Sequence, residues 1–148
     1  MEIPKNILFP TDFSKSSDKA LEGALMLAQQ FKAQLYVLHV VEDIKQCAAD
    51  YCLPEEMLIQ YQKESVSGAK KKIEEEIKKI PDAKNVKIIS DVKTGIAYDK
   101  ILKEADEKKI DFIVIATHGK SGLLHHPLGS IAERVARGAK CPVMLLRL

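Results

Sequence analysis

Tryptophan is absent from this chain, and aromatic residues make up 5% of it against 46% hydrophobic residues overall. A core must therefore be built from aliphatic side chains, and so high an apolar content excludes a disordered chain. An excess of charge of one sign is also missing, since 23 Lys and Arg face 21 Asp and Glu for a net +2. The two signs are interspersed, so a nucleic-acid surface, which gathers basic residues on one face, is not expected. No apolar run approaches the roughly 18 residues that a membrane-spanning helix needs, so no membrane partner is expected. Residues 1–10 lack the basic-then-apolar order of a secretory leader. Cysteine is scarce and odd in number: Cys47, Cys52 and Cys141 are irregularly spaced, which suits a reducing, cytoplasmic setting. Two common nucleotide signatures are absent as well. The chain has no G-x-x-x-x-G-K-[ST] and no G-x-G-x-x-G after its first strand, which disfavours a P-loop ATPase and a standard dinucleotide-binding domain.

What is present is an alternation of short aliphatic runs with longer amphipathic ones. The runs Asn6–Phe9, Gln34–Val41, Val86–Val92, Phe112–Thr117 and Pro142–Leu146 read as strands. Their near-continuous Ile, Leu and Val content predicts strands covered on both faces, as in a parallel sheet. Ala20, Leu21, Ala24, Leu25, Leu27 and Ala28 form the stripe of a first helix, which Asp12 or Ser14 could cap and which ends near Phe31. Glu55–Ile80 predicts a second helix, with Val66, Ala69, Ile73, Ile77 and Ile80 on one face and Lys–Glu pairs at four-residue spacing on the other. Gly95–Lys109 supplies a third helix, with Ile96, Ile101, Leu102 and Ala105 on its buried side. Ser130–Gly138 supplies a fourth, with Ile131, Val135 and Ala139 facing the core.

The 148 residues fit one domain, taken as 1–148, with an irregular insertion around 42–54. The fold class is α/β: an open, mostly parallel, doubly wound sheet of five strands with helices on both faces. Order 3-2-1-4-5 is favoured because it sets the first and fourth strands side by side, and ligands bind beyond the carboxyl ends of strands at such a switch point. The residues leaving those strands are Pro10-Thr11-Asp12-Phe13-Ser14 and Thr117-His118-Gly119-Lys120-Ser121-Gly122, the latter running on to Gly129-Ser130.

Glycine allows close backbone approach and positive φ. Turn amides, with the unpaired N–H groups of a helix start at Gly129, Ser130 and Ile131, can hold phosphate oxygens. Lys120 would add positive charge, and the Ser130 hydroxyl could donate to phosphate or cap the helix. Asp12 could accept from an adenine amino group or a ribose hydroxyl, or cap the first helix.

Residues 116–130 resemble the nucleotide loop of the universal stress protein family, whose ATP-binding branch carries Gly-x-x-Gly, nine residues, then Gly-Ser or Gly-Thr. Here Ala116-Thr117-His118-Gly119 is followed by nine residues and Gly129-Ser130, with Ala116 in place of the first glycine. Asn6–Ser14, Leu38-His39-Val40 and Cys141-Pro142-Val143-Met144 resemble the family's first, second and last strands. The resemblance implies that Asp12 and the Val40 backbone contact adenine. It sets positions 116 and 119 against ribose and phosphate, and gives the phosphates to Gly129, Ser130 and Ile131. His118 and Lys120 lie in the same loop. It also implies a homodimer through Pro142–Leu146, where an exposed aliphatic edge needs cover.

His118, His125 and His126 invite a metal reading, but no spaced set of ligands completes a protein-only site. A divalent cation, Mg or Mn, held through ATP is the more plausible arrangement. No catalytic residue is assigned, and any enzymatic activity is expected to be a slow ATPase at most. His39 and Cys141 are expected to be packing residues. The leading expectation is an ATP-binding stress-response or regulatory protein. The alternatives are a nucleotide-free dimeric scaffold acting through protein partners and an adenylyl- or phosphoryl-transfer enzyme.

Overall fold

Each aliphatic run becomes a strand and each amphipathic run a helix in a computed structural model, which describes residues 1–43, 53–118 and 128–147. In chain order the elements are β1 (Asn6–Pro10), α1 (Lys15–Phe31), β2 (Gln34–Val41), α2 (Glu55–Lys78), a 3₁₀ turn (Pro81–Asn85), β3 (Ile88–Thr94), α3 (Ala97–Glu107), β4 (Phe112–Ala116), α4 (Ser130–Gly138) and β5 (Val143–Leu146). The strands form one sheet of five in the order β3-β2-β1-β4-β5, with every neighbouring pair parallel. That is the doubly wound order expected from the sequence.

The alternation of side chains along each strand sorts the core into two layers. Ile7, Phe9, Leu35, Val37 and Val114 pack with Ala20, Leu21, Ala24 and Leu25 of α1 and Ala69 and Ile73 of α2. Leu8, Leu38, Ile113 and Ile115 pack on the opposite face with Ile101 and Ala105 of α3 and Ala132 and Val135 of α4. Ile7, Leu8, Phe9, Ile113 and Val114 are all fully buried. Burying a side chain of this size stabilises by about 1.5–3 kcal/mol, so the central strands anchor both layers.

Several details differ from the sequence reading. The third strand spans Ile88–Thr94, not Val86–Val92, because Pro81–Asn85 forms a 3₁₀ turn and the Val86 N–H donates back to the Ala83 carbonyl. β3 and β5 are edge strands and are mostly half-buried, so the two-sided cover expected of all five holds only for the interior ones. Ile96 is 63% exposed, at the N-cap of α3, and Ile131 is 40% exposed; the core positions of α3 and α4 are Ile101, Glu104, Ala105, Ala132 and Val135. Of the 42–54 insertion, residues 44–52, with Cys47 and Cys52, lie outside the described residues. Among the described residues no helix is long and apolar enough to cross a membrane.

Glu76 of α2 lies near the Asp18 carboxylate of α1, between the two helices of one layer. Burial first, then the Asp18 charge and its hydrogen bond, raises the Glu76 carboxyl from 4.5 to about 7 against the lowering effect of Lys79 and Lys72. Its folded value lies above its unfolded one, so the folded state binds the extra proton and stability falls as pH rises from about 4.5 through 7. Chemical denaturation across that interval should show the decline, and Glu76→Gln should flatten it and be the more stable protein at pH 8. An equal slope in the variant would refute the assignment.

Candidate functional site

Parallel strands end where their hydrogen-bonding partners end, and here they end unevenly. β1 and β2 pair from Asn6↔Gln34 to Pro10↔Leu38, whereas β1 and β4 pair near their amino ends, at Ile7↔Phe112 and Leu8↔Ile113. Beyond those rungs a cleft of about 1080 Å³ opens over the carboxyl ends of the strands. Asp12, Val40, Ala116, His118, Gly129, Ser130 and Ile131 all line it. Gly119 and Lys120, with His125 and His126, lie outside the described residues.

The turn after β1 is fixed by a buried threonine. The Thr11 N–H donates to the Leu38 carbonyl at 2.8 Å, and its hydroxyl oxygen accepts from the Phe13 N–H at 3.1 Å and from the Ser17 hydroxyl at 3.0 Å. These bonds hold Phe13 at φ 62°, a left-handed conformation that a bulky side chain adopts at a cost. Asp12 accepts the Ser14 N–H through Oδ1 at 3.0 Å, while the cap of α1 is Ser14, whose hydroxyl accepts the Ser17 N–H at 3.1 Å. The sequence left Asp12 and Ser14 as alternative caps; the cap falls to Ser14, and the Asp12 carboxylate borders the cleft.

Strand β2 runs past β1. The Leu38 carbonyl accepts from Thr11 N–H, and Val40, two residues on, turns its N–H and C=O to the same side, beyond the last rung. One donor and one acceptor on a strand edge therefore face the cleft. On the same side of the sheet as α1, the His39 Nδ1–H donates to the Thr11 carbonyl at 2.8 Å, and its ring lies against Phe13 with centroids 4.3 Å apart. The Lys72 ammonium of α2 sits 5.3 Å from the Phe13 ring centre and also borders the cleft.

The opposite wall is the start of α4. Gly129 is its N-cap at φ −66° and ψ 150°, with no side-chain cap bond, so Ser130 does not cap it. The Gly129 N–H is already donated to the Thr117 carbonyl at 2.6 Å, and the first helical bond runs from Glu133 N–H to the Gly129 carbonyl. Among the described residues, the donors of the first turn without a backbone partner are then the amides of Ser130, Ile131 and Ala132, at the positive end of the helix dipole. Gly129 is thus needed for close packing and not for positive φ, because a Cβ there would lie 2.8 Å from the Thr117 carbonyl oxygen. Ala116, the last residue of β4, is outside the residues of positive φ, so its strand conformation makes no demand for glycine. Thr117 is buried, donates its N–H to the Leu146 carbonyl and hydrogen-bonds His118 Nδ1 through its hydroxyl at 3.0 Å.

Thr11, Phe13, Lys72 and Thr117 were not singled out in the sequence. Thr11 and Thr117, small polar residues that close two aliphatic strands, carried a legible signal, whereas nothing local marks Lys72, which reaches the cleft across 59 residues of chain from Phe13. His39 is a packed strand residue as expected, and it also makes the bond that joins two strand ends. Cys141 is half-buried with a free thiol, and burial raises its pKa. Among the described residues, no three His, Cys, Asp or Glu side chains group together as metal ligands.

The family model described as the universal stress protein family matches residues 4–147. The chain is 35% identical over 143 residues to the universal stress protein MJ0531 of Methanocaldococcus jannaschii, covering 97% of this chain and 82% of that protein. The solved structure of MJ0577, from the same organism, matches with a TM-score of 0.81 at 28% identity over 99% of this chain and 98% of the other. A universal stress protein from Archaeoglobus fulgidus, solved in complex with dAMP, has the same fold, with a TM-score of 0.60 at 22% identity over 97% and 98% of the two chains.

The steric role of Gly129 is testable without any ligand. Gly129→Ala should destabilise the protein by about 1–3 kcal/mol, because the added methyl must push the helix start off the Thr117 carbonyl. Denaturant titration measures this, and a change below about 0.5 kcal/mol, the scale of a neutral surface substitution, would contradict it.

Proposed function

The chain belongs to the universal stress protein family, and we propose that it binds ATP in the cleft beyond β1 and β4 as a stress-response or regulatory protein. The observation that carries this reading is the convergence on one cleft of three groups of complementary chemistry: the Asp12 carboxylate, the Val40 backbone edge and the open amides of α4. Adenine offers a ring-nitrogen acceptor beside an amino donor, which suits a backbone C=O and N–H two residues beyond a ladder's last rung. Phosphate oxygens suit the amides of Ser130, Ile131 and Ala132 at a helix start. Ala116 and His118 then lie between base and phosphates, with Gly119 and Lys120 extending the same loop. A Mg or Mn ion would enter with the phosphates, which supply most of its ligands.

The reading takes residues 1–148 as one domain, which the family match over 4–147 supports. Self-association through Pro142–Leu146 is part of it, since β5 is an edge strand with Leu145 38% exposed. A cytoplasmic location fits the odd number of cysteines. Hydrolysis is assigned no residue, and slow turnover at most is expected.

Titration calorimetry with ATP tests the proposal. The parent protein should bind and gain thermal stability. Asp12→Asn, which keeps an acceptor for the Ser14 N–H, should weaken ATP about tenfold through the lost charge-assisted bond and leave the ligand-free melting temperature unchanged. No heat and no thermal shift up to millimolar ATP would reject the reading.

A further inference from the structure

The bond between His39 and Thr11 takes the place of a rung of the sheet. In a parallel ladder, a residue that donates its N–H to one carbonyl of the neighbouring strand accepts, through its own carbonyl, from the N–H two residues further along that strand. Thr11 donates to the Leu38 carbonyl, so the next rung would run from the Val40 N–H to the Thr11 carbonyl. That carbonyl instead accepts from His39 Nδ1 at 2.8 Å, and among the described residues the backbone bonds between these two strand ends stop at Leu38. A carbonyl can only accept, so the imidazole carries its proton on Nδ1. The ring is held at that angle by Phe13, at a centroid distance of 4.3 Å, and Phe13 is held in turn by Thr11.

We infer that His39 is a positioning residue: by occupying the Thr11 carbonyl it keeps the Val40 amide out of the ladder and presents it to the base of the bound nucleotide. The inference rests on the nucleotide reading for its ligand, but the displacement of the rung is a property of the empty protein. His39→Leu keeps apolar bulk against Phe13 and removes the donor, which frees the Thr11 carbonyl for Val40. His39→Asn keeps a side-chain N–H near the position of Nδ1.

Two measurements on the full chain decide it. In the ligand-free protein, hydrogen exchange at the Val40 amide should slow about tenfold in His39→Leu, as the rung closes, and stay near the parent value in His39→Asn. In calorimetry, His39→Leu should lose about tenfold in ATP affinity while GTP, which shares the ribose and phosphates, changes little, so that the ATP-to-GTP preference falls. His39→Asn should restore that preference. Unchanged Val40 exchange in His39→Leu, or an equal loss for ATP and GTP, would overturn the inference in favour of plain packing. If the parent protein binds no ATP, the nucleotide reading falls, and Val40 exchange in the ligand-free protein decides the role of His39 by itself.

Discussion

Right-handed crossovers can build a parallel sheet outward on either side of its first strand, and this chain does both. From β1 it moves through α1 to β2 and through α2 to β3; it then returns across the sheet through α3 to β4 and through α4 to β5. The handedness rule forces α1 and α2 onto one face and α3 and α4 onto the other. The helices that follow β1 and β4 therefore lie on opposite faces of the sheet. Among the described residues, the cleft lies between the exits of those two strands. Everything chemical in the site depends on that reversal, because it brings residue 12 beside residues 116 and 129 without any contact local in sequence.

The cleft is lined by backbone held in specific states, and those states have a cost. Phe13 at φ 62° stores about 1–3 kcal/mol of strain. Thr11 offsets it through three hydrogen bonds made by its N–H and its hydroxyl, two of them to residues that define the start of α1. The same economy appears on the other wall, where the Gly129 N–H satisfies Thr117 and, among the described residues, the next amides have no backbone partner. Each wall thus uses one threonine, buried at the end of a central strand, to fix a turn whose neighbours remain available. The polar groups that could meet a ligand belong to turns braced from behind.

The five strands and the helices were legible because aliphatic runs and 3.6-residue stripes each reflect burial, which a sequence records directly, whereas the sheet order rested on the rule that ligands bind beyond strand ends at a switch point. Ile96 and Ile131 were misread because apolar character alone does not distinguish a core stripe from a residue exposed at a helix start. Glu104 is the opposite case. It is 3% exposed between Ile101 and Ala105, with Lys93 at 3.9 Å, and burial raises its pKa. A carboxylate at such a position reads as a solvent-facing residue, since residue type alone does not record that it packs on the buried side of its helix beside Lys93 of the preceding strand. The start of β3 was placed two residues early because Val86 is apolar and buried, yet its N–H serves the 3₁₀ turn and not the ladder.

The candidate site divides along the same line. Asp12, Gly129 and Ser130 were legible from residue type and from the position of strand ends, and Val40 and Ala116 through the family resemblance. The geometry narrows the reasons for two of them. Glycine at 129 reads as a residue for close backbone approach or positive φ; its backbone is ordinary, and the close approach is to the Thr117 carbonyl oxygen. Alanine at 116 stands where the family motif has its first glycine, and a residue ending a strand in ordinary backbone conformation bears a methyl without strain. A motif records that a small residue is tolerated. Whether the constraint is conformational or steric depends on what lies across the gap. At Gly129 that is the backbone of β4's own exit, so the residue governs how α4 is set against the sheet, and through it where the open amides point.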